Sequence, residues 1–83
     1  MEISVTLRFT KSYKKLNSVV KEKAKVKERI FRKTPLTNAL KHTNYQEKEA
    51  WAFWVDYSYR IKFIFLTKNE VLFLDIGTHD FYK

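Results

Sequence analysis

The sequence has no cysteine, and it contains only one glycine and one proline among its 83 residues. Without cysteine, neither a disulfide nor a thiolate zinc site can stabilise the fold. No long apolar run follows Met1, so we expect neither a signal peptide nor a membrane span. Together these absences lead us to expect a cytoplasmic protein.

Apolar side chains are plentiful, and they must supply the core. Hydrophobic residues make up 45% of the chain and aromatic residues 17%. Disordered segments are poor in aromatic and β-branched residues, so this composition predicts a folded chain. A chain of 83 residues can form one hydrophobic core but not two. We therefore predict a single domain that spans residues 1–83.

The charge of the chain is concentrated in one segment. The formal net charge is +8, and Lys11 to Lys33 accounts for all of it with ten Lys or Arg residues and two Glu residues. Such a field favours binding to a nucleic acid, an acidic protein or an anionic membrane surface. A basic helix that is merely solvated is the alternative.

The first part of the sequence predicts one strand followed by two helices. Glu2 to Phe9 alternates apolar and polar side chains, which is the pattern of a half-buried strand. Thr10 or Ser12 can cap a short helical turn behind it. A second helix starts near Asn17, runs over Val19 to Arg32 with a narrow apolar stripe, and ends before the proline.

The last third of the sequence predicts an antiparallel meander, after a polar loop at residues 36–49. Its three apolar runs are Trp51–Val55, Tyr59–Leu66 and Val71–Ile76. A three-residue first loop and a four-residue second loop leave one face consistently apolar, with Phe53 beside Ile61 and Phe63 beside Leu74. The predicted fold is α+β, in the order β-α-α-β-β-β, with both helices packed on one face of an antiparallel sheet.

The opposite face of the meander collects polar and aromatic side chains. The same register sets Trp54 beside Arg60, and Arg60 beside Gly77. Lys62 and His79 continue this face. Arginine can clamp a phosphate with two hydrogen bonds, tryptophan can stack on a base, and histidine can exchange a proton near neutral pH. The face therefore predicts an RNA-binding cradle.

Each of these residues also has a purely structural explanation. Arg60 can pair with a nearby carboxylate, that of Asp56, Asp75 or Asp80. Lys62 lies across from Asp75 in the predicted register and can form a cross-strand pair with it. A loop can cover the tryptophan, and a histidine near a chain end is often solvated. Composition and spacing thus indicate a small basic α+β domain with a candidate phosphate-binding face.

Three segments of the chain resemble the RelE/ParE toxin superfamily: Phe9–Leu16, Asp56–Phe63 and Leu74–Asp80. The Tyr59-Arg60-Ile61 pattern, combined with the Ile-Gly-Thr-His-Asp ending, is most similar to the YafQ and YoeB type. The resemblance spans nearly the whole chain and implies the RelE-like microbial RNase fold. It also implies the toxin of a type II toxin–antitoxin system, a ribosome-dependent mRNA endonuclease that inhibits translation.

The resemblance implies a role for three residues in a reaction that uses no metal and no cofactor. In that reaction the ribose 2′-hydroxyl attacks the adjacent phosphate. Arg60 matches the strand arginine that holds the scissile phosphate. His79 matches the C-terminal histidine that acts as a general acid, and Tyr82 lies close to the terminal aromatic residue that orients the substrate.

The general base is the point where the chain departs from the family pattern. Relatives commonly supply a Glu or a His before the second strand, and the corresponding residue here is Asn38, which takes up no proton. His42, Glu47 and Glu49 are the candidate replacements.

The resemblance also implies partners. We expect mRNA on the ribosome, no membrane, and a cognate antitoxin from an adjacent gene whose acidic segment covers the basic helices or the polar face. The residues expected to bind RNA are Trp54, Lys62, Lys41, Lys11, Lys14 and Lys15. Two alternatives stay open: a ParE-like inhibitor of gyrase, and a catalytically degenerate member that binds an antitoxin without RNase activity.

Overall fold

The computed structural model describes residues 1–34, 39–45 and 48–78, with side chains for residues 1–34 and 49–78. Two helices and five strands follow one another in this part of the chain. The strands are β1 (Glu2–Val5), β2 (Ala39–Tyr45), β3 (Lys48–Trp54), β4 (Tyr59–Thr67) and β5 (Glu70–Thr78). The helices are α1 (Leu7–Lys14) and α2 (Ser18–Lys33), and both lie between β1 and β2 in the sequence.

The strands form one sheet in the order β1-β5-β4-β3-β2. The pairs from β2 to β5 are antiparallel, whereas β1 runs parallel to β5. The α+β class is confirmed, but the prediction of a purely antiparallel sheet is wrong at the β1 edge. A parallel pair needs a crossover of a dozen or more residues, and α1 and α2 lie on the connection that leads from β1 back to the sheet.

Strand β2 was not predicted by the alternation of the sequence. The pattern predicts a loop for residues 36–49, but the backbone of Ala39 pairs with Phe53, and that of Tyr45 pairs with Lys48. The register shifts between Lys41 and Asn44. Such an irregularity interrupts the period of two by which a strand is recognised. The element order therefore contains one more strand than predicted.

The chain leaves the sheet earlier than predicted because Thr6 begins α1. The Thr6 Oγ1 atom accepts a 3.0 Å hydrogen bond from the N–H of Phe9, which makes it the N-cap of the helix. The predicted caps, Thr10 and Ser12, are wrong, and β1 stops four residues short of the predicted strand. Phe9 reaches the core from the helix, whereas Leu7 is 71% exposed.

Helix α2 agrees with its sequence signals. The Asn17 side chain accepts a 2.9 Å hydrogen bond from the N–H of Val20 and caps the first turn. The buried residues Val20, Ala24 and Phe31 lie on one side of the helix. Within the described residues, no helix is long and apolar enough to cross a membrane.

The larger core cluster lies between the helices and one face of the sheet, as predicted, and a smaller buried cluster of Ala50, Ile64 and Leu74 lies apart from it. Phe31 of α2 stacks on Phe53 and meets Phe63 edge-on, with ring centroids 4.8 Å apart in both pairs. Phe73 lies 5.7 Å from Phe31 and 5.5 Å from Phe9 of α1. Aromatic pairs of this kind contribute about 0.5–1.5 kcal/mol each beyond the burial of their area. Phenylalanines from both helices and three strands therefore hold the two layers together.

The meander has the predicted register near its first loop and at its second turn, and a different one between them. Arg60 lies opposite Trp54, and Lys62 lies opposite Asp75, as predicted. The second connection is a two-residue turn at residues 68–69 rather than a four-residue loop. Thr67 pairs with Glu70, which extends the predicted register by one pair, so the two ends of the β4–β5 pair share one register.

Between the two ends the pairing is shifted by one residue, from a β-bulge in β5 to a second irregularity at Leu66 of β4. Phe63 pairs with Phe73 rather than with Leu74, so the predicted Phe63–Leu74 pair is wrong and Leu74 is an extra residue. The N–H of Thr6 donates a 3.1 Å hydrogen bond to the carbonyl of Phe73, and the Thr6 hydroxyl donates one of 2.8 Å to the carbonyl of Leu74. The bulge thus lies where α1 begins.

Candidate nucleic-acid interface

The sheet face that points away from the helices carries polar residues near the first loop, and this polar part is called the open face below. Trp54 stands on β3, Arg60 and Lys62 on β4, and Gly77 on β5. They share this face because side chains alternate along a strand and Ile61, between Arg60 and Lys62, is buried in the core. Arg60 lies opposite both Trp54 and Gly77. Glycine has no side chain, so a ligand can approach the backbone of β5 closely.

Arg60 and Trp54 are in direct contact. The Arg60 Cζ atom lies 4.0 Å from the centroid of the Trp54 ring, which is a cation–π arrangement. Trp54 is 42% exposed, and Arg60 is half-buried. The cross-strand neighbours predicted by the register therefore form a cation–π pair, in which the ring that was predicted to stack on a base contacts the guanidinium.

Three carboxylates were predicted as possible ion-pair partners of Arg60. Two of them form ion pairs with residues of the helices. The Asp56 Oδ2 atom lies 3.5 Å from Nζ of Lys23 on α2. The Asp75 Oδ2 atom lies 3.4 Å from Nε of Arg8 on α1. Asp80 lies outside the described residues. These two ion pairs attach the meander to both helices.

Helix α1 continues the polar surface beyond β5, and its polar side is called the α1 edge below. Ser12 donates a 2.7 Å hydrogen bond to Oδ1 of Asp75, whose other oxygen meets Arg8. Because Lys62 lies opposite Asp75, the α1 edge follows directly on the open face. A depression of about 490 Å³ lies there, lined by Leu7, Arg8, Lys11, Ser12, Lys15 and Asp75.

Asp56 holds the loop that joins β3 to β4. Its Oδ1 atom accepts hydrogen bonds from the N–H groups of Ser58, at 2.8 Å, and Tyr59, at 2.9 Å. Partial burial acts to raise the pKa of Asp56, but the two N–H groups and the ammonium of Lys23 outweigh it, so the pKa is lowered from its ordinary value. The charged carboxylate therefore stabilises the loop next to the stacked arginine.

The structure brings together most of the residues that were predicted to bind RNA. Trp54, Arg60 and Lys62 lie on the open face, and Lys11 and Lys15 line the depression at the α1 edge. The remaining lysine of this helix, at position 14, is exposed in its last turn.

Arg8 and Ser12 are site residues that the sequence reasoning missed. They are four positions apart on α1, and Lys15 follows three positions later, which aligns the three on one side of a helix. The signal was hidden because position 8 was predicted to lie in a strand.

Glu49 lies apart from Arg60. It stands on β3 five residues before Trp54, and it shares its side of the strand with the core residue Phe53 because side chains alternate. Three other predicted site residues, Glu47, His79 and Tyr82, lie outside the residues that the structure describes, as do the side chains of Lys41 and His42. Among the described side chains, no group of three His, Cys, Asp or Glu residues could hold a metal ion.

No protein-family model matches the sequence, and no curated protein matches it significantly. Solved structures do match. The YoeB/ParE toxin from Agrobacterium tumefaciens has a TM-score of 0.76 and 14% identity, covering 95% of this chain and 99% of the other. The archaeal RelE of the RelE–RelB complex from Pyrococcus horikoshii has a TM-score of 0.74 and 10% identity, covering 93% and 92%.

A third similar structure comes from the E. coli DinJ–YafQ toxin–antitoxin complex. It has a TM-score of 0.73 and 16% identity, and the match covers 95% of this chain and 92% of the other. The chain therefore has the RelE-like fold that RelE, YoeB and YafQ share, as the motifs predicted. At these identities the likeness shows the fold and not the activity.

Proposed function

We propose that this chain is the toxin of a type II toxin–antitoxin system and that it cleaves mRNA on the ribosome. The proposal rests above all on Arg60, a residue opposite Gly77 in the sheet, whose guanidinium carbon lies over the Trp54 ring at 4.0 Å from its centroid. Lys62 follows two positions along the same strand. A phosphate bound over the glycine would meet two cations, and the RelE-like fold supports the same assignment.

The proposed reaction needs a cation at the phosphate. The 2′-oxygen forms a bond to phosphorus while the bond from phosphorus to the 5′-oxygen breaks, which leaves a cyclic phosphate and a 5′-hydroxyl. Arg60 stabilises the extra negative charge of the pentacoordinate phosphorane. Removing one preorganised donor of this kind typically lowers kcat about 10²–10³-fold.

The proton transfers are assigned mainly to residues whose side chains the structure does not describe. In the proposal His79 gives a proton to the leaving 5′-oxygen, and Tyr82 orients the substrate. The 2′-hydroxyl must lose its proton to a base, for which His42 and Glu47 are the candidates. Glu49 is the weaker candidate, because it shares its side of β3 with the core residue Phe53.

Three lysines at helix α1 and Lys41 of strand β2 are assigned to ribosomal RNA. Lys11 and Lys15 lie in the depression at the α1 edge, which follows on the open face. Lys14 and Lys41 are assigned to the same role. Contacts of lysine with phosphates release counterions, so this binding would weaken as salt is added.

We also propose that the partner protein is an antitoxin with an acidic, amphipathic segment that docks on α2. Val19, Val26 and Ile30 are 61%, 46% and 42% exposed, and their spacing places them in one stripe about 40° wide. Lys23 and Lys27 line a groove of about 470 Å³ beside Val26. An apolar stripe with basic flanks suits a helix that has an apolar face and acidic edges.

The test of the enzymatic proposal is cleavage of mRNA on purified ribosomes, with the 5′ ends of the products mapped. We expect cleavage when the ribosome is present, no cleavage of the same mRNA alone, and a 5′-hydroxyl on the downstream fragment. Arg60→Ala should lower the rate at least 100-fold. Lys68→Ala, in the turn between β4 and β5, is the matched control that removes a charge elsewhere.

Two results would overturn the enzymatic proposal. One is full activity of the Arg60→Ala, His79→Ala double variant. The other is that the unaltered chain leaves the mRNA uncleaved. Inhibition of DNA supercoiling by gyrase would then indicate the ParE-like alternative. Binding of an antitoxin without either activity would indicate a catalytically degenerate member.

The partner proposal is tested by co-expression with the neighbouring reading frame and by titration of the purified pair. We expect a stable complex that Val26→Glu weakens about 10-fold or more, because it places a charge in the apolar stripe. Leu66→Glu is the matched control, since Leu66 is 41% exposed and lies on β4. Equal weakening by both variants would move the interface away from α2.

A further inference from the structure

We propose that Trp54 is a positioning residue, which fixes the orientation of the Arg60 guanidinium for the phosphate. The inference rests on the proposed function and adds a residue to its site. The Arg60 Cζ atom lies 4.0 Å from the centre of the Trp54 ring, and the two residues are direct cross-strand neighbours. Trp54 would then act through the arginine rather than on the RNA.

The stacking leaves the hydrogen-bonding capacity of the guanidinium in place. Its five N–H donors lie in the plane of the group, so a ring that packs against the face of the guanidinium does not occupy them. A phosphate that binds in this plane takes two parallel hydrogen bonds, and their geometry depends on how the plane is turned. Arginine has a long side chain with many rotamers, so a flat partner restricts the turning that would misalign these donors.

The tryptophan is itself held in place by the closed end of the hairpin. It is the last residue of β3, and the next residue, Val55, is 1% exposed and donates a 2.9 Å hydrogen bond to the carbonyl of Tyr59. Asp56 then binds the N–H groups of Ser58 and Tyr59. The platform under Arg60 is therefore attached to a fixed turn.

The test compares Trp54→Leu and Trp54→Phe in two backgrounds, Arg60 and Arg60→Lys, in the ribosome cleavage assay. Lysine keeps the charge but has no plane to orient. We expect Trp54→Leu to lower kcat about 10-fold in the Arg60 background with little change in KM. It should change the Arg60→Lys enzyme less than about threefold, and Trp54→Phe should restore most of the rate in the Arg60 background.

A second measurement monitors the stack without any RNA. The Nε–H proton of Arg60 should be shifted by the ring current of Trp54 in NMR spectra of the unaltered chain, shifted in Trp54→Phe, and unshifted in Trp54→Leu. Leu66→Ala is the control, because Leu66 is 41% exposed, close to the 42% of Trp54, and lies at the other end of β4. It should change neither the cleavage rate nor this proton.

The outcomes separate this inference from the proposed function. An unaltered chain that cleaves no mRNA overturns both. A chain that cleaves, but whose Trp54→Leu loss is the same in the Arg60 and Arg60→Lys backgrounds, overturns the positioning role alone, because Trp54 would then act independently, for instance by stacking on a base. An Arg60 Nε–H that does not respond to Trp54→Leu would also overturn it.

Discussion

The hydroxyl of Thr6 donates a 2.8 Å hydrogen bond to the carbonyl of Leu74 and accepts one of 3.0 Å from the N–H of Phe9. The first bond binds the bulge in β5, and the second caps α1. One side chain thus couples the start of a helix to an irregularity 68 residues later in the chain. Because Asp75 follows directly and contacts Arg8 and Ser12, the same coupling sets the position of the α1 edge.

Thr6→Val should lower the free energy of unfolding by about 1–2 kcal/mol, because valine has the same shape but can neither cap the helix nor bind the bulge. Thr6→Ser retains a hydroxyl and should stay within about 0.5 kcal/mol of the unaltered chain. Urea denaturation followed by circular dichroism measures both. Equal stability of the valine and serine variants would show that the two hydrogen bonds do not matter.

Phe31→Ala should lower the free energy of unfolding by about 3–5 kcal/mol, because Phe31 is 3% exposed and contacts Phe53, Phe63 and Phe73. A domain of 83 residues has roughly 4–12 kcal/mol in total, so the variant should lose a large part of its stability. Thermal denaturation checks this. Leu7→Ala is the control: Leu7 is 71% exposed, and its loss should matter little. A small effect at Phe31 would contradict the assigned core.

The register near the first loop was predictable because one face of the sheet is buried. A shift of one residue would turn Ile61 and Phe63 out of the core, where they are 1% and 0% exposed, and would bury Arg60 instead. The pairing of Arg60 with Trp54 follows from that constraint. Local hydrogen bonding likewise predicts the start of α2, since the Asn17 side chain bonds within its own first turn.

The features that the sequence did not predict depend on contacts between distant residues. The start of α1 could not be read from alternation, because Ile3 to Phe9 keeps a period of two across a helix boundary that Thr6 creates. The partners of Asp56 and Asp75 were open for the same reason: Lys23 and Arg8 are far away in the sequence. The register predicts which residues are neighbours, but not that the guanidinium lies over the indole ring.

The stability of the protein should fall in acid partly through Asp56. Its pKa is lowered in the folded chain, so its contribution is fully present above the unfolded pKa of about 3.9 and is lost as the pH falls through the lower folded value. Asp56→Asn should therefore be less stable than the unaltered chain at pH 7 and should lose less stability between pH 5 and pH 2.

Urea denaturation at several pH values measures this difference. Lys23→Gln is a matched variant, because it removes the 3.5 Å ion pair but keeps the hydrogen bonds from Ser58 and Tyr59. Lys23→Gln should reduce the fall of the unfolding free energy between pH 5 and pH 2 less than Asp56→Asn does. A parallel fall of stability with pH in the unaltered chain and in Asp56→Asn would contradict the assignment.

The α1 edge should make the binding of RNA sensitive to salt. Lys11 and Lys15 line one depression with Arg8, which Asp75 holds at 3.4 Å. If both lysines contact phosphates, the Lys11→Gln, Lys15→Gln double variant should lower the slope of log K against log salt by about 1.4–1.8, since each contact contributes about 0.7–0.9. Fluorescence anisotropy with a labelled structured RNA, over a range of salt concentrations, measures the slope.

Lys68→Gln distinguishes a local contact from the effect of net charge. Lys68 is exposed in the turn just before β5 begins. The α1 edge lies farther along, beside Asp75 in the second half of β5. A variant that lowers only the general positive field should change the slope little, because exposed charges more than a Debye length apart are largely screened. If Lys68→Gln lowers the slope as much per lysine as the double variant does, the RNA responds to overall charge and the α1 edge is not its binding site.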